Sequence, residues 1–337
     1  MRLNSEADIL NSTFSPLSTT GMPSVAEILR SRTKAGFSIE VLPPVKGKGT
    51  EKLMSDIEKL MRFNPLFVNI TIHHSEPVYQ PAEGGNLHKT FVRKRPGTVA
   101  VAAAINHRFG IPAVPHIICH GFTPEETEYS LIDLNFLGIH DLFLLRGDND
   151  KESLVPREQS HAHATDLIGQ VNDFNRGQLI DGQVAEPLAV PFTYGVAGYP
   201  EKHSEAPNMK SDLEWLKRKV DLGAEYVITQ LFYNNEHFYR FRDQAAAMGV
   251  NVPIVPGLKP ISRKSQLNVL PSVFATEIPE DLVARIEAAD DADVKKIGRD
   301  FLLAQAQDLA DHGVPCVHFY TLGAVDTVCS VAEELYK

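Results

Sequence analysis

A (β/α)8 TIM barrel with extra helices, in a single domain of α/β class, is the fold that this 337-residue sequence predicts, on three observations. Eight short runs of apolar and β-branched residues recur along the chain, and longer amphipathic segments separate them. The runs are nearly continuous in apolar character, as parallel strands are when both faces are buried. Eight β-then-α units in about 300 residues fit a closed barrel better than a doubly wound sheet, which usually has fewer strands and a glycine-rich first turn.

Taken in order, residues 1–21 are rich in Ser, Thr and Asn without helical period and read as a flexible tail ahead of a catalytic barrel over 22–337. The strand-like runs are FSIEVL (37–42), FVNITI (67–72), AVPHIIC (113–119) and DLFLLRG (141–147), then PFTYGVAGY (191–199), YVITQLFY (226–233), VPIVPGL (252–258) and CVHFYTL (316–322). Thr123-Pro124-Glu125-Glu126 is a capping box with proline at the first helical position, so a helix starts there. Gly110, Gly138, Gly223, Gly249 and Gly313 each follow a helical run and precede a strand, where a left-handed helix stop is needed. The stretch 259–312 is longer than one connection requires and predicts additional helices.

Lys plus Arg number 33 against 43 Asp plus Glu, a net charge of −10, which argues against a nucleic-acid surface but leaves room for a local basic pocket. Three cysteines, Cys119, Cys316 and Cys329, none in a CxxC pair, exclude a disulfide framework, a zinc ribbon and a dithiol redox motif. The N-terminus lacks an apolar signal segment and no 18-residue apolar run follows, so a cytoplasmic protein with no membrane partner is expected. There is neither a GxGxxG after a strand nor a GxxxxGK[ST]; Gly47-Lys48-Gly49-Thr50 has the composition in the wrong order.

In such a barrel the chemistry sits at the C-terminal ends of the strands. The polar residues there are Glu40, Thr71, His73, His74, His116, His120, Arg146, Asp148, Tyr199, His203, Gln230, Tyr233 and Tyr320. Glu40 interrupts an apolar strand that two prolines then end; a carboxylate at the mouth is either a partly desolvated general acid or an outward-facing ion-pair partner. Arg146-Gly147-Asp148 closes the fourth run, with glycine for close backbone approach and flanking charges to grip a ligand, or else forms a surface turn. Thirteen histidines raise a metal reading, a barrel hydrolase, but no HExxH occurs and the one HxH, His161 and His163, lies in a polar connection. No metal is therefore expected. Arg218 and Lys219 lie late in the segment 211–223, where they complement a helix dipole or bind phosphate.

Seven of these segments, FSIEVLPP, PHIIC, LLRGD, YPEKHSEAP, LKRKVDLGAEYVITQLFY, VPGLKPI and HFYTL, resemble in order the motifs of the 5,10-methylenetetrahydrofolate reductase family in its short bacterial form. The resemblance runs from about residue 23 to the C-terminus. It implies FAD bound without a Rossmann motif, and a ping-pong hydride relay from NADH or NADPH through FAD to 5,10-methylenetetrahydrofolate, giving 5-methyltetrahydrofolate for one-carbon metabolism and methionine supply. It also implies a homo-oligomer. Glu40 matches the general acid that protonates N10 and opens the folate's five-membered ring, and Asp148 an aspartate near flavin and pterin. Gln230, Phe232, Tyr233 and Gln266 match folate contacts. Thr71, His116, Arg146, Gly147, Asp148, Ala164, Tyr199, His203, Asp212, Trp215, Arg218 and Lys219 match FAD contacts, with Trp215 placed to pack on the adenosine half. Departures occur after Thr71, in the long segment His73–Arg95, at Leu270 where the family can carry a stacking phenylalanine, and at Gly323-Ala324, where the family's Asn-Arg would help bind folate. A non-catalytic folate- or flavin-binding relative is the other reading of those departures.

Overall fold

The computed structural model describes residues 22–147 and 152–337. The tail 1–21 and Asp148 therefore lie outside the described residues. The chain begins with α1 (Val25–Arg30), held by a capping box in which Ser24 Oγ accepts from Glu27 N and the Glu27 carboxylate accepts from Ser24 N. There follow β1 (Gly36–Val41), α2 (Glu51–Met61), β2 (Val68–Ile70), β3 (Glu76–Pro81), β4 (Leu87–Val92), α3 (Thr98–Phe109), β5 (Ala113–Ile118), α4 (Pro124–Phe136), β6 (Asp141–Leu145) and α5 (Ala164–Asn175). The second half holds β7 (Thr193–Gly198), α6 (Met209–Asp221), β8 (Tyr226–Leu231), α7 (Asn235–Ala247) and β9 (Ile254–Leu258). It ends with α8 (Gln266–Phe274), α9 (Glu280–Ala288), α10 (Asp291–Asp311), β10 (Cys316–Tyr320) and α11 (Val325–Leu335).

Eight strands close in the order β1-β10-β9-β8-β7-β6-β5-β2, all parallel, so every expected strand is present and the barrel is complete. Two helices, α8 and α9, fill the long connection after β9, with α10 behind them. The five glycines read as helix stops all have positive φ, between 61° and 118°. Along β1, Phe37, Ile39 and Val41 pack into the core between sheet and helices, so Ser38 and Glu40 take the alternate, inward face. The interior is layered. At the strand N-termini Val25, Ala26 and Leu29 of α1 pack with Phe67, Phe143, Tyr226 and Val255 into an apolar plug. Val25 N donates to Asp141 Oδ1 (2.9 Å), which fixes α1 there. Above the plug lies a buried polar layer of Ser38, Asn69, His116, Thr229 and His318, with Glu40 at its top.

The segment His73–Arg95 is an antiparallel hairpin of β3 and β4, paired from Glu76↔Val92 to Pro81↔Leu87 and separate from the barrel sheet. It leans across the mouth: Lys89 and Tyr79 both reach Glu152 in the β6–α5 loop, and Arg93 reaches Glu126 at the start of α4. No helix among the described residues is long and apolar enough to cross a membrane.

Candidate active site

Glu40 stands next to last in β1, 8% exposed, paired in register with Asn69 of β2 and Tyr320 of β10. Burial pushes its carboxyl up to about 8, against a smaller downward pull from the Lys259 ammonium. Its nearest titratable contact is His116 of β5, with Nε2 3.6 Å from Glu40 Oε2. Burial, and secondarily the nearby His73, push His116 down to about 3. Both groups are neutral at pH 7, so this approach is a contact between an acid and an uncharged imidazole rather than an ion pair. Asn69 Nδ2 donates to the same His116 Nε2 (3.1 Å). Tyr320 crosses the mouth beside Glu40: its hydroxyl donates to Thr229 O (2.8 Å), and its ring lies over Gly257, where a Cβ would come within 2.7 Å of it. Only glycine admits that crossing. Thr321 Oγ1 donates to Glu40 O, tying the end of β10 to β1.

On the opposite side of the mouth a second group of residues lines one cavity of about 230 Å³. Its walls include Arg146 at the end of β6, His163 and Ala164 at the start of α5, Tyr199 and His203 after β7, and Asp212, Trp215 and Lys219 on α6. Seven of the positions read from sequence as FAD contacts thus share one wall, drawn from two successive β/α units. Lys219 is half-buried in it: Nζ donates to Ala197 O (3.2 Å), and desolvation pushes the ammonium down to about 8, against the opposing pull of Asp212. Asp212 in turn accepts from His203 N (2.9 Å), and burial raises its carboxyl. Tyr199 meets His203 edge-on at 4.7 Å. Arg146 is held in a bidentate pair by Glu205, at 2.6 and 2.9 Å. Trp215, 45% exposed, carries His163 on its ring at 5.8 Å and the Arg218 guanidinium at 5.3 Å. An apolar ring platform beside two cationic side chains suits a flat heterocycle joined to phosphates, so the donor set fits FAD. Gly147, with φ 86°, brings its backbone close to Ile118 and His120 at the foot of this wall. Thr71 lies across the mouth, bonded through Oγ1 to Val41 O (3.4 Å). His116 belongs to the Glu40 group.

The residues read as folate contacts separate. Gln230 is partly exposed near the end of β8, its Oε1 accepting from Leu231 N (2.9 Å), which leaves the amide NH2 to offer. Phe232 corrects the expectation of a ring contact. It is fully buried and stacks on Phe238 at 5.6 Å in the core between sheet and helices. The cause is an irregularity in β8, where Ile228 to Leu231 oppose Val255 to Gly257, placing one extra residue on β8 and turning the following side chains. Tyr233 is buried among Leu231, Ile261 and Leu270 under α8, its ring 3% exposed. Gln266 holds its own loop: Oε1 accepts from Ser262 N (2.7 Å), Ser262 Oγ (3.1 Å) and Arg263 N (3.0 Å). Asn69 and Lys259 are the site residues the sequence reading passed over. Each was visible as a polar interruption of an apolar run, in FVNITI and in VPGLKPI.

The histidines weighed for a metal have separate occupations. His74 and His120 meet edge-on at 5.1 Å, and His161 Nε2 bonds Gln170 Oε1 at 2.6 Å. Among the described residues one trio, Glu201, His237 and Glu277, brings possible ligand atoms together. There Glu201 is already engaged, accepting from His237 Nδ1 (3.0 Å), Glu277 N (2.8 Å) and Thr276 Oγ1 (2.6 Å), so it ties the β7–α6 loop to α7 and to the α8–α9 connection.

The family model for methylenetetrahydrofolate reductase matches residues 25–336. A 5,10-methylenetetrahydrofolate reductase of Salmonella typhimurium is 31% identical over 314 residues, covering 93% of each chain. Methylenetetrahydrofolate reductase (NADH) 1 of Arabidopsis thaliana is 29% identical, and the chain spans about half (48%) of that relative's length. Among solved structures, an uncharacterized protein from Clostridium thermocellum that binds two copies of 5-methyl-5,6,7,8-tetrahydrofolic acid superposes with a TM-score of 0.58 at 15% identity, covering 92% of this chain and 97% of that one, a likeness of fold. With its barrel, its buried acid and the match along nearly its whole length, the chain belongs to the methylenetetrahydrofolate reductase family.

Proposed function

We propose that the chain reduces 5,10-methylenetetrahydrofolate to 5-methyltetrahydrofolate with a nicotinamide dinucleotide as reductant and FAD as resident cofactor. The observation that carries the reading is a carboxyl kept protonated at neutral pH, Glu40, facing the same mouth as the wall from Arg146 to Lys219. FAD held on that wall supplies hydride acceptance and donation, chemistry that no side chain here performs.

The protein's own part is proton transfer and orientation. Glu40, raised to about 8, is mostly protonated at pH 7 and able to give its proton to N10 of the folate, opening the ring to an electrophilic iminium. His116 and Asn69 hold the acid from below without supplying a competing charge, and the Lys259 ammonium stabilises the carboxylate that proton transfer leaves behind. Gln230 offers its amide NH2 to the pterin. Lys219, Arg218 and Arg146 supply cationic contacts for the cofactor, and Trp215 packs against its adenosine half. Asp148, at the end of the LLRGD motif, keeps its proposed role beside flavin and pterin as a reading from sequence.

The test is the visible spectrum of the purified protein, followed anaerobically through addition of NADH and then of methylenetetrahydrofolate. Flavin bands that bleach with NADH and return with the folate are expected. A protein that takes up no FAD, or bleaching that folate does not reverse, overturns the reading.

A further inference from the structure

The loop between β9 and α8 carries two cations, Lys259 and Arg263, whose charges act on each other. Lys259 follows directly on β9, where Leu258 pairs with Phe319, the residue before Tyr320; Tyr320 in turn pairs with Glu40. The two cations therefore sit on the Glu40 side of the mouth. Lys259 Nζ donates only to the Leu322 carbonyl (3.4 Å), and among the described residues no carboxylate lies within ion-pair distance of either cation. Several basic side chains of this surface are paired, Arg30 with Glu225, Lys94 with Glu76 and Arg146 with Glu205, whereas these two are not. Two like charges side by side without a counter-charge repel, and an arriving anion relieves the repulsion. The loop is also preset. Gln266 gathers Ser262 and the Arg263 backbone onto one amide oxygen, which fixes where the Arg263 side chain leaves the loop.

We propose that Lys259 and Arg263 form an anion subsite at the rim of the mouth that takes a carboxylate of the folate's glutamyl tail. The proposal rests on the folate reading above and deepens it. Two visitors to this mouth carry anions, the glutamyl carboxylates of the folate and the phosphates of the dinucleotide. Chemistry favours the first. Glu40 addresses N10, the atom that bears the aminobenzoyl-glutamate, so that substituent leaves the pterin on the side of the acid, where Lys259 stands.

The test uses the FAD-loaded protein and calorimetric binding of 5-methyltetrahydrofolate, its triglutamate, and 5-methyltetrahydropteroate, which lacks glutamate. Arg263 is exposed, so Arg263→Gln leaves the fold intact, and Arg263→Lys is its charge-conserving control. Arg263→Gln is expected to weaken both glutamyl ligands by roughly tenfold, the size of one charge-assisted contact. It leaves the pteroate and the dinucleotide KM unchanged, and Arg263→Lys restores most of the loss. Lys259→Gln weakens the glutamyl ligands likewise and adds a shift in the pH profile of folate reduction. Loss of dinucleotide affinity instead assigns the subsite to phosphate and overturns the proposal. Equal loss with the pteroate reduces Arg263 to a loop-shaping residue and also overturns it, as does no change at all. A wild-type protein that binds none of the three folates overturns the functional reading, and this subsite with it.

Discussion

Replacing Glu40 by glutamine keeps the shape of the side chain and removes the acid, and the structure sets the sign and size of the resulting change in stability. The carboxyl titrates at about 8 in the fold against 4.5 for the ordinary side chain, because burial disfavours its charge. Between those values the native state holds a proton that the unfolded chain has released, so stability falls as pH rises. The contribution is fully present below pH 4.5 and is lost as pH climbs through about 8. The gap of 3.5 units (8 − 4.5), at 1.36 kcal/mol each, amounts to about 5 kcal/mol above pH 8, and the 2.5 units (7 − 4.5) effective at pH 7 to about 3 kcal/mol. Glu40→Gln has no such slope. Thermal unfolding of both proteins at saturating FAD, from pH 5 to 9, is the assay. The curves are expected to lie close at pH 5 and to separate with rising pH, the variant melting higher by about 5 °C at pH 7, on the usual unfolding entropy per residue. The same variant loses folate turnover on the order of 10²-fold while still oxidising NADH. A separation that stays constant with pH, or widens toward acid, refutes the claim that Glu40 is a desolvated acid.

Three further outcomes are expected from the same structure. FAD affinity, read from the fluorescence of released flavin, weakens as pH rises through about 8, where Lys219 loses its proton, and Lys219→Met binds weakly and without that pH dependence. Trp215→Ala changes the melting temperature little because the ring is 45% exposed, yet weakens FAD by roughly tenfold through loss of the ring platform; equal affinity would remove Trp215 from the cofactor wall. Phe232→Leu destabilises by on the order of 1–3 kcal/mol by opening space against Phe238 while leaving the folate KM unchanged, and a raised KM with normal stability would return Phe232 to the substrate site.

The barrel was legible because its strands are buried on both faces, and such strands cannot hide: 142–145 is an unbroken apolar run, and in 226–233 the polar residues Thr229 and Gln230 come after YVI. The hairpin was not, for the opposite reason. β3 and β4 are half in solvent, so EPVYQP and LHKTFV carry no apolar run, and only Gly84-Gly85 between two segments containing Val78, Tyr79, Thr90 and Phe91 marks the turn. The alternation of β1 sets the face that Glu40 takes, and one helical turn of α6 brings Trp215 and Lys219 to one side. Phe232 was misplaced because one extra residue in β8 changes which way the next side chains point, and nothing in YVITQLFY announces it. The neutrality of His116 was equally invisible, since it comes from burial among side chains of other strands and, secondarily, from His73.

The single carboxylate of Glu201 bridges three rim segments through His237, Thr276 and Glu277. Two residues on from it, His203 stands in the cofactor wall, while Thr276 and Glu277 come directly after α8, whose first residue is Gln266. On the proposed function, the flavin side and the folate side of the rim are thus tied together by one crossbar. In the proposed ping-pong relay two chemically different guests must present their reacting carbons to the same flavin, the first giving hydride and the second taking it. A rim tied in this way makes that a matter of which polar groups each guest finds around it. Selectivity in such a design is adjustable one side chain at a time without disturbing the distance over which hydride must travel.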